Sequence, residues 1–218
     1  NEQVNNINDI NDLEVDKTKI NWSRSLKKKW QKKQLINFND SDLRLVLYRP
    51  FTKKWTNFLP EIIEYPGIWR NAFGLNNNKE NVFLNFGSGE RNGVLISNEI
   101  SDYQLLFNTK SVQLKIYNPD SIFEEEISNI SSRWIERFQS EQNVVSYIYG
   151  VLHSKGYKEA FKNDLRKSLP RIPLLKNQES YIEIGHRLSE LHLNYEQYPS
   201  WNGVEVITCL LYTSLSGL

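Results

Sequence analysis

Between Trp55 and Tyr117 the apolar residues come in short runs broken by turn formers, and this pattern limits the fold more than any other feature of the chain. The runs are Val82 to Phe86, Gly93 to Ile96, Tyr103 to Phe107 and Val112 to Tyr117, separated by Asn76 to Asn78, Gly87 to Gly89, Arg91 to Gly93 and Asn108 to Lys110. Short alternating runs between turn formers predict several strands joined by polar loops. After Pro119 the period becomes helical. Val144, Val145, Ile148, Tyr149 and Leu152 share one face, Tyr157, Phe161 and Leu165 another, and Leu169 precedes a stop at Pro170-Arg171-Ile172-Pro173. A last helix is predicted from about Gln178 to Leu193, with Tyr181, Ile184, Leu188 and Leu191 inward. The fold class is α+β: a basic N-terminal helical segment, a β-rich module and a compact helical C-terminal part.

The N-terminal segment carries the helical signal from Ile20 to Lys33, where Trp22, Leu26 and Trp30 recur every four residues and lysines fill the other faces. Asn39, Asp40 and Ser41 predict the cap of a short helix through Leu43, Val46 and Leu47, which Pro50 would end, with Tyr48 to Phe51 as an extended exit. These signals divide the chain into a linker or end of a preceding domain (1–19), a basic helical connection (20–55), a β-rich module (56–120), a helical bracing part (121–201) and a tail (202–218).

Composition limits the class of function. The 218 residues include no Met, so the chain is read as an internal piece of a longer polypeptide; 39% hydrophobic residues supply a core. One Cys excludes an internal disulfide or a multi-thiolate zinc site. No apolar run is long enough to cross a bilayer, and the polar, acidic start is unlike a signal peptide. The cytoplasm is the expected compartment, and no membrane partner is expected.

The net charge of +1 hides a segregation. Residues 1–16 carry five acids and no base, residues 17–55 carry twelve bases against Asp40 and Asp42, and the remainder is slightly acidic. A polyanion would be drawn to one end of the chain.

Catalytic patterns fail on inspection. The run Gly87-Ser88-Gly89-Glu90-Arg91-Asn92-Gly93 puts its third glycine one place late for a dinucleotide loop, lacks a following lysine and leads into a strand. It reads as a β loop able to present Ser88, Glu90, Arg91 and Asn92 to a ligand. Asp120 with Glu124 to Glu126 resembles half of a metal-dependent nuclease centre without its lysine, and three successive glutamates on a helix read as a solvated face. His153, His186 and His192 lack zinc-site spacing and lie near apolar helical faces. Cys209 has no basic neighbour that would activate it. Asn118-Pro119-Asp120 lacks the second proline and the ring of an amine-methylation motif. No catalytic residue and no metal ligand is assigned.

What remains is the basic segment. Arg24, Lys27, Lys28, Lys29, Lys32, Lys33, Arg49, Lys53 and Lys54 could neutralise phosphates, with Trp22, Trp30, Phe51 and Trp55 anchoring the segment or stacking. Composition alone leaves a solubilising helix face open beside nucleic-acid contact, with membrane-surface binding as a weaker third.

Particular strings then carry more than composition. Tyr147-Ile148-Tyr149-Gly150-Val151-Leu152-His153-Ser154, Tyr157, Phe161, Asp164-Leu165-Arg166-Lys167, Leu169-Pro170-Arg171-Ile172-Pro173 and Leu191-His192-Leu193-Asn194-Tyr195-Glu196 resemble the C-terminal specificity region of type ISP restriction-modification enzymes. Upstream, Val46-Leu47-Tyr48-Arg49-Pro50-Phe51 falls in the same order, so the resemblance spans about Ile20 to Tyr198. It implies a parent polypeptide combining nuclease, helicase-like translocase and adenine-N6 methyltransferase with a target-recognition part. S-adenosylmethionine, ATP and Mg²⁺ would serve that parent, with no cofactor in this piece.

The resemblance implies sequence-specific recognition of double-stranded DNA. The basic residues would hold phosphates, the β loops with Ser88, Glu90, Arg91 and Asn92 would read bases, and the helices would brace them. Its partners would be duplex DNA and the remaining domains of the same polypeptide. An RNA-binding or protein-docking domain, and a divergent nuclease on Asp120 and Glu124, are the alternatives. From about Thr208 the string departs from the family and resembles translated adaptor read-through, so 202–218 is expected to be non-native or disordered.

Overall fold

The structure, a computed structural model, describes residues 24–34, 39–59, 63, 72–74, 79–89, 93–118, 125–199 and 202–203. It opens with helix α1 (Arg24–Gln31) and a single 3-10 turn at Asp40–Asp42. Strands β1 (Leu43–Arg49) and β2 (Thr52–Asn57) follow. The helix expected through Leu43, Val46 and Leu47 is therefore a strand. Leu43, Leu45 and Leu47 alternate with Arg44, Val46 and Tyr48, a period of two that fits a ladder better than a helical stripe. Pro50 does not end a helix; with Phe51 it makes the hairpin turn between Arg49 and its partner Thr52. Phe51 sits in the left-handed region at φ 59°, an uncommon position for a bulky residue. Its ring packs edge-on against His192 and Tyr195, at 5.2 and 5.1 Å between centroids.

Among the described residues three small sheets make the β-rich part. In the first, β1 lies between β2, antiparallel, and β5 (Ile100–Ser101), parallel. In the second, β3 (Phe83–Phe86) lies between β4 (Val94–Ser97) and β6 (Lys110–Gln113), both antiparallel. The third pairs β7 (Lys115–Tyr117) with β8 (Glu126–Ser128). Val112 to Tyr117 is thus two strands rather than one, and Glu126, read as part of a helical acidic face, opens a strand and pairs with Lys115 at 2.8 Å. The expected strand over Tyr103 to Phe107 is a series of turns. The Asp102 carboxylate accepts from the Gln104 N–H, Thr109 N–H closes on the Tyr103 carbonyl, and Tyr103 and Phe107 stay exposed. The side chain of Asp102 supplies a local partner that competes with a ladder.

A buried polar chain joins the first two sheets. Fully buried Asn85 donates to Leu95 O and Ser97 Oγ and accepts from Ser111 Oγ. Ser111 Oγ lies 2.7 Å from Ser101 Oγ in the first sheet. Each group has a partner, as burial demands.

The helical part consists of α2 (Ser132–Phe138), α3 (Glu141–His153), the short α4 (Lys155–Ala160) and α5 (Lys162–Leu165), and α6 (Gln178–Leu193). Ser140 caps α3 through Asn143 N–H, and Ser154 caps α4 through Tyr157 N–H. Helices α3 and α6 cross with their backbones nearly touching. A Cβ on Gly185 would collide with Ser146 O and stand 2.7 Å from Gly150 N, and one on Gly150 would collide with Tyr181 O. The inward face of α6 is consequently built on Gly185 and Ser189 with Tyr181, Ile182, Leu188 and His192. Ile184 and Leu191, expected inward, are exposed at 60% and 44%. Phe161 is likewise 41% exposed, packing its ring on buried Tyr157 at 4.9 Å.

Tyrosine hydroxyls fasten these helices to their surroundings. Tyr147, fully buried, donates to Pro173 O at 2.7 Å and accepts from Leu175 N at 2.8 Å, pinning the segment after the proline stop. Tyr149 accepts from Ile96 N in β4 and lies 2.6 Å from His192 Nδ1 in α6, so one hydroxyl ties the second sheet to the helix pair. His153 Nδ1 lies 2.9 Å from the Tyr149 carbonyl. Burial pushes the His153 imidazole down to about 4, and burial also lowers His192, so both rings are neutral in the fold at pH 7.

Three outcomes follow. Gly185→Ala should destabilise the chain by about 1–3 kcal/mol in urea unfolding, the usual effect of overpacking. Phe161→Ala should fall well short of the ~3–5 kcal/mol of a buried ring. Because the unfolded chain protonates His153 near the ordinary value of 6.5 and the folded chain only near 4, stability should decline as pH falls through that interval, read by unfolding at pH 7, 5.5 and 4. His153→Gln should reduce the decline and leave the part that His192 contributes, and a flat profile in the unaltered chain would contradict the expectation.

Candidate nucleic-acid interface

Helix α1 buries Leu26 and half-buries Trp30, one turn apart on the same side. Arg24, Lys28, Lys32 and Lys33 are exposed, and Lys27 and Lys29 are half-buried. Lys33, at φ 53°, turns the chain out of the helix, with its N–H on Trp30 O. Cations gathered at the C-terminal end favour the helix dipole, so α1 can carry them without an acidic partner on every turn. Trp22 lies outside the described residues.

The hairpin cations divide in two. The Arg49 guanidinium pairs with Asp102 at 3.1 Å and lies 4.0 Å above the Tyr48 ring. Lys53 pairs with Glu196 at 2.9 Å, and only 15% of its side chain is exposed. Burial opposes the Lys53 charge, but the hydrogen bond and charge of Glu196 outweigh it and hold the ammonium above its ordinary value. Both side chains therefore fasten the hairpin, Arg49 to the turn after β5 and Lys53 to the end of α6. Lys54, 4.1 Å from the Tyr48 ring, and Trp55, 69% exposed, face solvent on the edge strand β2.

The loop between β3 and β4 leaves the sheet at a neck closed by Gly87 N–H on Gly93 O at 2.9 Å. Ser88 is strapped to the neighbouring turn: its N–H and its hydroxyl both donate to Phe107 O at 3.2 Å. A base approaching Ser88 would thus meet its lone pairs rather than its proton. Gly89 follows at φ 64° with open space around its Cα. Glu90, Arg91 and Asn92 lie outside the described residues. The neck also lines a shallow groove whose far wall is the α4–α5 segment.

A second cavity is electrically mixed. Arg44, Lys79 and Lys115 line it with Glu80, Glu99 and Glu141, a balance that gives a polyanion no net attraction. Arg44 lies 3.5 Å over the Phe73 ring and burial lowers its pKa; burial raises the Glu99 carboxyl against the pull of Lys53 and Arg44. Among the described residues no group of three or more His, Cys, Asp or Glu could hold a metal ion. Asp120, Glu124 and Cys209 lie outside those residues, and His186 is exposed while His153 and His192 serve the Tyr149 cluster. No helix among the described residues is long and apolar enough to cross a membrane.

Solved structures share this architecture. The chain is 37% identical to the Type ISP restriction-modification enzyme LlaGI, a nuclease-deletion mutant in complex with a DNA substrate mimic, over 85% of this chain and 14% of that one, at a TM-score of 0.71. It is 27% identical to the ATP-dependent Type ISP enzyme LlaBIII bound to DNA, over 94% of this chain and 14% of that one, at a TM-score of 0.78. A DrdV–DNA complex shares the fold at 22% identity and a TM-score of 0.75, over 90% of this chain and 20% of that one. The chain thus spans about a seventh of the LlaGI and LlaBIII polypeptides. No curated protein sequence matches it. The family model described as the Type ISP C-terminal specificity domain matches residues 1–209, and the chain belongs to that family.

Proposed function

We propose that the chain recognises a specific sequence in double-stranded DNA on behalf of a Type ISP restriction-modification polypeptide. The observation that carries this reading is the match to the specificity domain over residues 1–209, with the same fold present in two Type ISP enzymes that hold DNA or its mimic. Division of labour follows from the chemistry of duplex DNA. Cations on phosphates set affinity and register without reading sequence, whereas side chains on base edges discriminate. Exposed cations on α1, with Lys54 beside them in kind, suit the first task. The β3–β4 loop suits the second, because its closed neck at Gly87 and Gly93 fixes where the loop leaves and rejoins the sheet.

The larger polypeptide would carry the chemistry. It would methylate adenine N6 with S-adenosylmethionine, translocate with ATP and cut DNA with Mg²⁺, in the cytoplasm, and this chain would contribute no catalytic group.

Selection from a pool of random duplexes should recover one recurring site, and duplex DNA should compete better than RNA of equal length. Alanine at each position from Ser88 to Asn92 should lower the preference for that site by about 1–3 kcal/mol wherever a base contact is lost, while binding to random duplex changes little. Changing Lys27, Lys28, Lys29, Lys32 and Lys33 together to Gln should weaken binding to every duplex alike. Recovery of no common site, or stronger binding of RNA, would contradict the proposal.

A further inference from the structure

We propose that the groove between the β3–β4 neck and the α4–α5 segment is a second phosphate-binding track, which holds the DNA backbone beside the bases read from the loop; this rests on the DNA-recognition reading. Lys110, on β6, and Ser88, at the neck, line it from the β side, and Lys158, Arg166, Lys167 and Ser168 from the helical side. All four cations are exposed, and among the described residues no acidic side chain lines the groove.

The arrangement differs from the hairpin and from the mixed cavity. Among the described residues the ion pairs engage Arg49, Lys53, Lys115 and Lys155, and none engages Lys110, Lys158 or Lys167. The mixed cavity balances its charges, and on the hairpin Arg49 and Lys53 pair with Asp102 and Glu196. Gathering Lys110, Lys158 and Lys167 with no ion pair of their own opposes folding through self-repulsion, and an anion lying among them removes that opposition.

The shape selects the kind of anion. The enclosed space is only about 50 Å³, far below the roughly 300 Å³ or more of a small-molecule pocket, so a bound nucleotide does not fit. A small groove with cations among the residues of both walls suits a phosphate of a backbone that lies across its mouth. The charges come from parts of the chain far apart in sequence, and the Tyr157 hydroxyl on Arg171 O holds the α4–α5 wall in place. Charge counting by large blocks conceals this wall: residues 155–176 hold seven bases (Lys155, Lys158, Lys162, Arg166, Lys167, Arg171, Lys176) against Glu159 and Asp164, inside a remainder that is acidic overall.

The test is a triple variant, Lys110→Gln, Lys158→Gln and Lys167→Gln, in the full chain, titrated with a 30-bp random-sequence duplex and with the selected site from 50 to 300 mM salt. If each lysine neutralises one phosphate, the slope of log affinity against log salt should flatten by about 2.7, from roughly 0.9 per contact, equally on both duplexes. The Lys→Arg triple should keep the native slope. Wild-type binding with a slope unchanged in the Gln triple, at an unchanged melting temperature, overturns the track and leaves DNA recognition standing. A wild-type chain that binds no duplex overturns both, and a flattened slope on single-stranded RNA alone replaces the track with an RNA site. If the Gln triple melts earlier than wild type, the single Gln variants are read instead, each expected to lose about 0.9 of slope.

Discussion

The near-contact of α3 and α6 backbones at Gly150 and Gly185 is the constraint on which the rest of the architecture depends. Two helices can approach this closely only where neither presents a side chain, so the crossing point is fixed by composition at two positions rather than by the size of an apolar stripe. Fixing it sets where Tyr149 meets β4 and His192, and where the end of α6 meets the hairpin. Through Phe51, Lys53 and Glu196 the hairpin is held against α6, and through Leu47 with Leu95 it joins the hydrophobic seam between the first two sheets. The β loops are thereby mounted on a frame whose position is determined at one glycine pair.

Much of this was legible in the sequence, for identifiable reasons. Strands β3 and β4, helix α3 and helix α6 carry strong periodicity and clear turn residues at their ends. The element at Leu43–Arg49 reads as a helix in sequence because Asn39-Asp40-Ser41 imitates a helix cap and Pro50 imitates a helix stop, whereas the fold makes it a strand. The same residues form a 3-10 turn and a hairpin turn once β1 has a parallel partner in β5, a contact more than fifty residues away that local pattern does not report. The α6 face differs from its hydrophobic periodicity for the opposite reason: the buried side is chosen by Gly185 and Ser189, to which periodicity gives no weight.

The candidate site shows a similar division. The exposed lysines of α1 were visible as a charge run, and the β3–β4 loop as glycines flanking polar residues. Arg49 and Lys53 belong to the same run in sequence, yet their carboxylate partners, Asp102 and Glu196, arrive from distant parts of the chain. Lys110 and the cations of α4 and α5 went unmarked because three-dimensional proximity, not sequence, brings them to one groove. Ion pairs thus set Arg49 and Lys53 apart from the exposed lysines of α1, a distinction that local sequence does not report.

Hydrogen exchange of the chain with and without a bound duplex tests this account most directly, since it reports every segment at once. Contact with DNA through the loop and its groove should slow exchange in peptides covering residues 87–93 and 155–170, while the outward face of α6 around Ile184 and Leu191 keeps its free rate. Protection concentrated on that α6 face, with residues 87–93 unchanged, would contradict the central claim.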